Sequence, residues 1–161
     1  MHLKDSATRK EPTVQPVDTE DVLKLENQVC FALAVASRSV NAVYRPLLEP
    51  MGLTHPQYLV MLALWEHNPR SVKNIGEALQ LEPATLSPLL KRLESVGLVD
   101  RRRNSADERQ LEITLTPAGV RLRDTAETIP ARIVERLGMG IDQLVELRES
   151  LGKIIAAAQQ S

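Results

Sequence analysis

The apolar residues of this chain leave their helical period at one place, and that break restricts its fold more than any other feature. From Val22 to Val96 they recur three and four residues apart, as on helices. At Leu111, Ile113 and Leu115 they alternate with Gln110, Glu112 and Thr114, as on a strand. Leu98-Val99 reads as the partner strand. The ten residues between, RRRNSADERQ, are too polar for a core and too many for a tight turn. A hairpin with a long projecting tip follows.

The helical part divides by its start and stop residues. Val22, Leu25, Val29, Leu33, Ala36, Val40, Val43 and Leu47 predict a helix of about 28 residues, ended by Pro50 and Gly52. The mean helix is only about 11 to 12 residues. Such length suggests that part of this one packs on something outside its own domain. Thr54 and Gln57 form a capping-box pair that opens a second helix with Tyr58, Leu59, Met61, Leu62 and Trp65, stopped by Asn68-Pro69. Ser71 caps a third through Val72, Ile75 and Leu79. Pro83 starts a fourth with Leu86, Leu89, Leu90, Leu93 and Val96, which closes at Gly97. Pro88 inside it predicts a kink or loosened first turns. After the hairpin, Thr116-Pro117 opens a helix carrying Val120, Leu122, Ile129 and Ile133, interrupted or bent at Pro130. A last helix bears Ile141, Leu144, Leu147, Leu151, Ile154 and Ile155.

Short helices joined around Leu81-Glu82 and followed by a basic-tipped hairpin make a winged helix-turn-helix. A helix fits the major groove, and a basic loop follows phosphates or enters the minor groove. The fourth helix offers Thr85, Ser87, Lys91 and Arg92 around its apolar stripe. Arg101, Arg102 and Arg103, the one run of three like charges, fall at the first strand and its exit. The net charge of −1 over 161 residues hides this distribution, since residues 70–109 hold eight basic and six acidic side chains. With 43% hydrophobic and 25% charged residues the composition is that of a globular protein. The polar N-terminus has no secretory core and no stretch is long enough to span a membrane, so a cytoplasmic protein without membrane partners is expected.

The single cysteine excludes an internal disulfide framework and a cysteine-based metal cluster within one subunit. His2, His55 and His67 are too scattered for a metal site, and Gly138 and Gly140 suit helix ends rather than a phosphate loop. No cofactor and no catalytic constellation is expected. A lone helical cysteine is usually a buried small hydrophobe. Cys30, however, shares a helical column with Ala34, Ser37, Asn41, Tyr44 and Leu48. Tyr44 returns to nearly the same face but lies about 21 Å along a straight helix. Within one helix the two cannot touch, whereas two copies crossing antiparallel bring them together. A dimer is also what a winged-helix protein needs to read two half-sites.

The segment from Leu53 to Gly119, above all SADERQLEITLTPAG, resembles the MarR family of transcriptional regulators. That resemblance implies that Arg109 is a wing-tip minor-groove contact oriented by Asp107. The run from Leu25 to Leu64, LENQVCFALAVASRSVNAVYRPLLEPMGLTHPQYLVMLAL, is similar to the organic-hydroperoxide-resistance subgroup, in its one-cysteine type. The subgroup implies a homodimeric repressor of double-stranded operator DNA. It implies a peroxide-sensing cysteine at Cys30, hydrogen-bonded by the partner subunit's tyrosine at Tyr44. Oxidation to sulfenic acid, then a disulfide with a low-molecular-weight thiol or further oxidation, would release the DNA. The subgroup carries tyrosine where this chain has Ala34 and His55, two residues of the implied sensing pocket. Ala34 leaves space without a donor, and His55 titrates near neutral pH.

The expected fold is thus mainly α with a two-stranded hairpin. A flexible arm spans 1–19 and one MarR-like domain spans 20–161. Within it, 54–116 form the winged helix-turn-helix, and 20–50 with 117–160 form the dimerisation helices. Two other functions fit the same residues: a MarR-type regulator released by a small non-oxidant ligand, with Cys30 a core residue, and a one-cysteine peroxidase, which would need no charged wing.

Overall fold

The computed structural model describes residues 22–103 and 111–160, and the chain divides into two compact units, residues 1–38 and 39–161. In the first unit a 3-10 turn, Leu25–Asn27, precedes helix α1 (Val29–Leu48). The helix expected from Val22 therefore begins at Val29. Gln28 is extended, with ψ 114°, and its side-chain amide donates to the carbonyls of Val22 and Lys24. A side chain that satisfies local carbonyls competes with the helical ladder, and here it wins.

The second unit opens with the end of α1 and a 3-10 turn, Glu49–Met51. It continues through α2 (His55–Glu66), β1 (Arg70–Ser71), α3 (Val72–Leu79), α4 (Pro83–Ser95), β2 (Val99–Arg103) and β3 (Leu111–Leu115). Helices α5 (Pro117–Ala126), α6 (Ile129–Leu137) and α7 (Ile141–Gln159) complete it. The start signals act as expected. The Thr54 amide donates to Gln57 Oε1 at 2.9 Å, Ser71 Oγ accepts from the Asn74 amide, and Thr116 Oγ1 accepts from the Gly119 amide. Helix α4 runs unbroken through Pro88. The bond that Pro88 withholds is to Ala84, which is exposed, so water can take the freed carbonyl.

The sheet has three antiparallel strands, not two, in the order β1-β3-β2. Val99 faces Leu115, Arg101 faces Ile113 and Arg103 faces Leu111, while β1 pairs Arg70 with Ile113. Two residues are too few for β1 to betray itself by alternation. The helix expected after Pro117, interrupted or bent at Pro130, is interrupted: it forms two helices, with Pro130 in the first turn of α6.

One apolar core organises this unit. Leu48, Val60, Met61, Leu64, Ile75, Leu86, Leu90, Leu93, Val99 and Ile113 are all almost fully buried. Each such side chain contributes about 1.5–3 kcal/mol relative to exposure. Helices α2, α3 and α4 and the base of the hairpin meet there, so the core holds α4 and the wing as one winged helix-turn-helix. Among the described residues no helix is long and apolar enough to cross a membrane.

Candidate functional site

Helix α4 buries Leu86, Leu90 and Leu93 and leaves Thr85, Ser87, Lys91 and Arg92 exposed. The apolar stripe thus dictates which side faces out, and that side carries two hydroxyls and two cations. The helix enters from a tight turn in which Gln80 adopts a left-handed backbone (φ 54°) and the Leu81 amide donates to the Gly76 carbonyl. Gly97, also left-handed at φ 75°, ends it and turns the chain into β2.

All three arginines of the triplet lie within β2. Their environments differ. Arg101 Nε donates to Glu94 Oε2 at 2.8 Å, and the two side chains are 29% and 37% exposed. Arg102 is 77% exposed, with Asp100 at 3.5 Å. Arg103 is exposed at the strand's end. Asp107 and Arg109 lie outside the described residues.

Cys30 and Ala34 are both exposed on α1 in the first unit. For Cys30 this differs from the buried-hydrophobe role usual for a lone cysteine. In the second unit Tyr44, near the end of α1, meets His55, the first residue of α2. Their ring centroids are 4.6 Å apart and tilted by 53°. Tyr44 also packs on Tyr58 at 6.0 Å, and Tyr58 on Trp65 at 6.3 Å. Trp65 Nε1 donates to the Gly119 carbonyl at 2.9 Å, which ties this row of rings to the start of α5. Burial raises the Tyr44 phenol above its ordinary pKa of 10.0 and lowers the His55 imidazole below 6.5. Tyr58 is raised by burial and, secondarily, by Tyr44. At neutral pH the phenols keep their protons and His55 is uncharged.

The structure thus joins two of the residues singled out in the sequence, Tyr44 and His55. It adds two that no local pattern marked, Arg45 and Glu94. A cleft of about 540 Å³ beside His55 is lined by Asn41, Arg45 and Thr54, among others. Arg45 and Asn41 reach it only because the turn at 49–54 folds α2 back on α1, a tertiary event without a periodic signature. Glu94 is a second such residue. Among the described residues no three potential metal-ligating side chains converge.

A family model described as the transcriptional regulator SarA/Rot family matches residues 42–125. The organic hydroperoxide resistance transcriptional regulator of Bacillus subtilis (strain 168) is 41% identical over 140 residues, covering 87% of this chain and 95% of that protein. The HTH-type transcriptional regulator MgrA of Staphylococcus aureus is 35% identical over 142 residues, covering 88% and 97%. Among solved structures, reduced AbfR bound to DNA superposes with a TM-score of 0.71 at 37% identity, covering 86% of this chain and 97% of that one. AbfR is from Staphylococcus epidermidis; it has also been solved in an overoxidized form bound to DNA and, separately, with a disulfide formed. These relatives are regulators, not enzymes. With the winged helix-turn-helix and its exposed α4 face in place, the chain belongs to the MarR-type transcriptional regulators of the SarA/Rot family and is a relative of the organic-hydroperoxide-resistance regulators.

Proposed function

We propose that this chain is a homodimeric, DNA-binding repressor that leaves its operator when an organic hydroperoxide oxidises Cys30. The observation that carries the reading is the exposure of the chain's one cysteine in a protein 41% identical to an organic hydroperoxide resistance regulator. In this reading 54–116 are the reading head, and 20–50 with 117–160 are the dimerisation helices. Thr85, Ser87, Lys91 and Arg92 on α4 enter the major groove. Arg102 and Arg103 meet phosphates, and Arg109, oriented by Asp107, takes the minor groove. That the related AbfR has been solved bound to DNA supports DNA as the partner.

The chemistry needs little from the protein. The Cys30 thiolate attacks the terminal peroxide oxygen, the O–O bond breaks, and the alkoxide leaves and takes a proton to become an alcohol. The sulfenic acid then condenses with a low-molecular-weight thiol, forming a mixed disulfide and water. Tyr44 of the partner subunit donates its hydroxyl to the Cys30 sulfur, a role open to a phenol that burial keeps protonated. AbfR has been solved on DNA in both reduced and overoxidized forms. That favours the bulky thiol adduct, rather than further oxidation, as the releasing step. An adduct that overpacks the site costs about 1–3 kcal/mol, and coupling of that order lowers DNA affinity by about 5- to 150-fold.

A gel shift on DNA from upstream of its own gene tests the proposal. Reduced protein is expected to bind, and protein treated with cumene hydroperoxide and a small thiol to release. Cys30→Ser is expected to bind and stay bound. If the serine variant still dissociates, Cys30 is not the sensor. Tyr44→Phe is expected to slow oxidation while preserving the fold, and unchanged oxidation kinetics remove Tyr44 from the site.

A further inference from the structure

Three consecutive arginines look like three equivalent phosphate contacts, yet the strand that carries them separates their roles. Side chains alternate along a strand, so Val99, Arg101 and Arg103 share one face of β2 while Asp100 and Arg102 share the other. Val99 is 1% exposed and belongs to the core that includes α4, so its face is the one turned to α4. Arg101, next along that face, is the residue that reaches Glu94 on α4, at 2.8 Å. Both side chains are only partly exposed, whereas Arg102 on the opposite face is 77% exposed. Among the described residues this is the one ion pair that joins α4 to the hairpin.

Glu94 is itself informative. A carboxylate on the helix that faces DNA repels phosphates and needs a reason to be there. An Arg101 guanidinium whose Nε–H is bonded to that carboxylate has its charge offset by Glu94 and its direction fixed towards α4. We propose that the Glu94–Arg101 pair is a brace that fixes the angle of the wing to the recognition helix, so that both engage one duplex. Arg101 is a positioning residue and not a phosphate contact. The inference rests on the DNA-binding reading above and subdivides the residues assigned to it.

The experiment is a fluorescence-anisotropy titration of a labelled duplex from upstream of the gene, repeated over a series of KCl concentrations. The variants are Glu94→Gln, Arg101→Gln, Arg103→Gln and the swap Glu94→Arg/Arg101→Glu, each checked for its far-UV circular dichroism. Each phosphate contact contributes about −0.9 to the slope of log K against log salt. The brace predicts that Arg101→Gln weakens binding about five-fold, a modest coupling, with the slope unchanged. Arg103→Gln loses about one from the slope. Glu94→Gln is the sharper arm, because removing a negative charge near DNA would by charge alone tighten binding, whereas loss of the brace weakens it. The swap is expected to recover affinity relative to either single variant. A slope reduced by about one in Arg101→Gln overturns the proposal. So does binding by Glu94→Gln as tight as the wild type, or a swap weaker than both single variants. Failure of the wild type itself to bind any duplex overturns the DNA-binding reading, and the brace falls with it.

Discussion

His55 begins α2 with its ring against Tyr44, and that position makes the contact sensitive to protons. Burial holds the imidazole below its ordinary 6.5, so the native state disfavours the charged form. In the unfolded chain the same group protonates at the ordinary value. Between the two values the unfolded state binds more protons, and stability rises with pH. The contribution is therefore complete above about 6.5 and is lost as pH falls from there through the folded value. Tyr44 and Tyr58, the titratable rings nearest to it, are both shifted upward and stay neutral throughout this window. His55→Phe, which keeps a ring against Tyr44, is expected to lose less of its urea midpoint between pH 7.5 and pH 5.5 than the wild type does. An identical loss in both proteins would mean that His55 takes no part in the acid sensitivity. The sequence placed Tyr44 on the Cys30 column and marked His55 as a departure from its subgroup. It gave no sign that the two rings touch, because their meeting depends on how the 49–54 turn closes.

Among the elements, the junction between the hairpin and α5 shows how far local signals reach. Thr116-Pro117 reads as a helix start from the chain alone, and Thr116 does cap α5 while its hydroxyl also donates to the Gly97 carbonyl at 2.6 Å. What the pattern does not state is why Gly119 follows. A Cβ on Gly119 would come within 2.1 Å of the Leu98 carbonyl oxygen, so α5 lies against the start of the wing at a distance that only hydrogen permits. The same glycine's carbonyl accepts from Trp65. Gly119→Ala forces backbone apart, and destabilisation of about 1–3 kcal/mol or more is expected. Trp65→Phe removes one hydrogen bond and is expected to cost about 0.5–1.5 kcal/mol. Thermal or urea unfolding that ranks Trp65→Phe as the more damaging change would contradict the close approach at Gly119. The cap signals at Thr54, Ser71 and Thr116 were legible because each acts within its own helical turn. The interruption at Pro130 was legible for the same reason, since proline acts on its own turn. The start of α1 at Val29 and the strand β1 were not, because they depend on side-chain competition and on a partner strand, neither of which has a local period.

At the scale of the whole molecule the unresolved quantity in the subunit is its exposed apolar surface. Helix α7 runs for 19 residues without one that is buried. Yet Leu144, Leu147, Leu151, Ile154 and Ile155 recur at three- and four-residue spacing, which places them along one side of a helix. Ile141, Leu147, Ile154 and Ile155 are 68%, 45%, 41% and 45% exposed. An isolated subunit gains nothing from ordering such a stripe in water, since the hydrophobic term that stabilises helices comes from covering it. A second copy of the chain supplies the cover in the homodimer proposed above, and two-fold symmetry then presents two α4 helices to the two halves of an operator. The stripe was visible in the sequence, but its partner was not, because nothing in one chain's periodicity distinguishes its own core from another subunit's. Leu147→Glu combined with Ile154→Glu puts two charges into that interface and leaves the buried core residues of the subunit untouched. Light scattering after size exclusion is expected to show a shift from dimer to monomer mass, with operator affinity falling as the second reading head is lost. A double variant that keeps the dimer mass would remove α7 from the interface and return its apolar stripe to an unexplained surface.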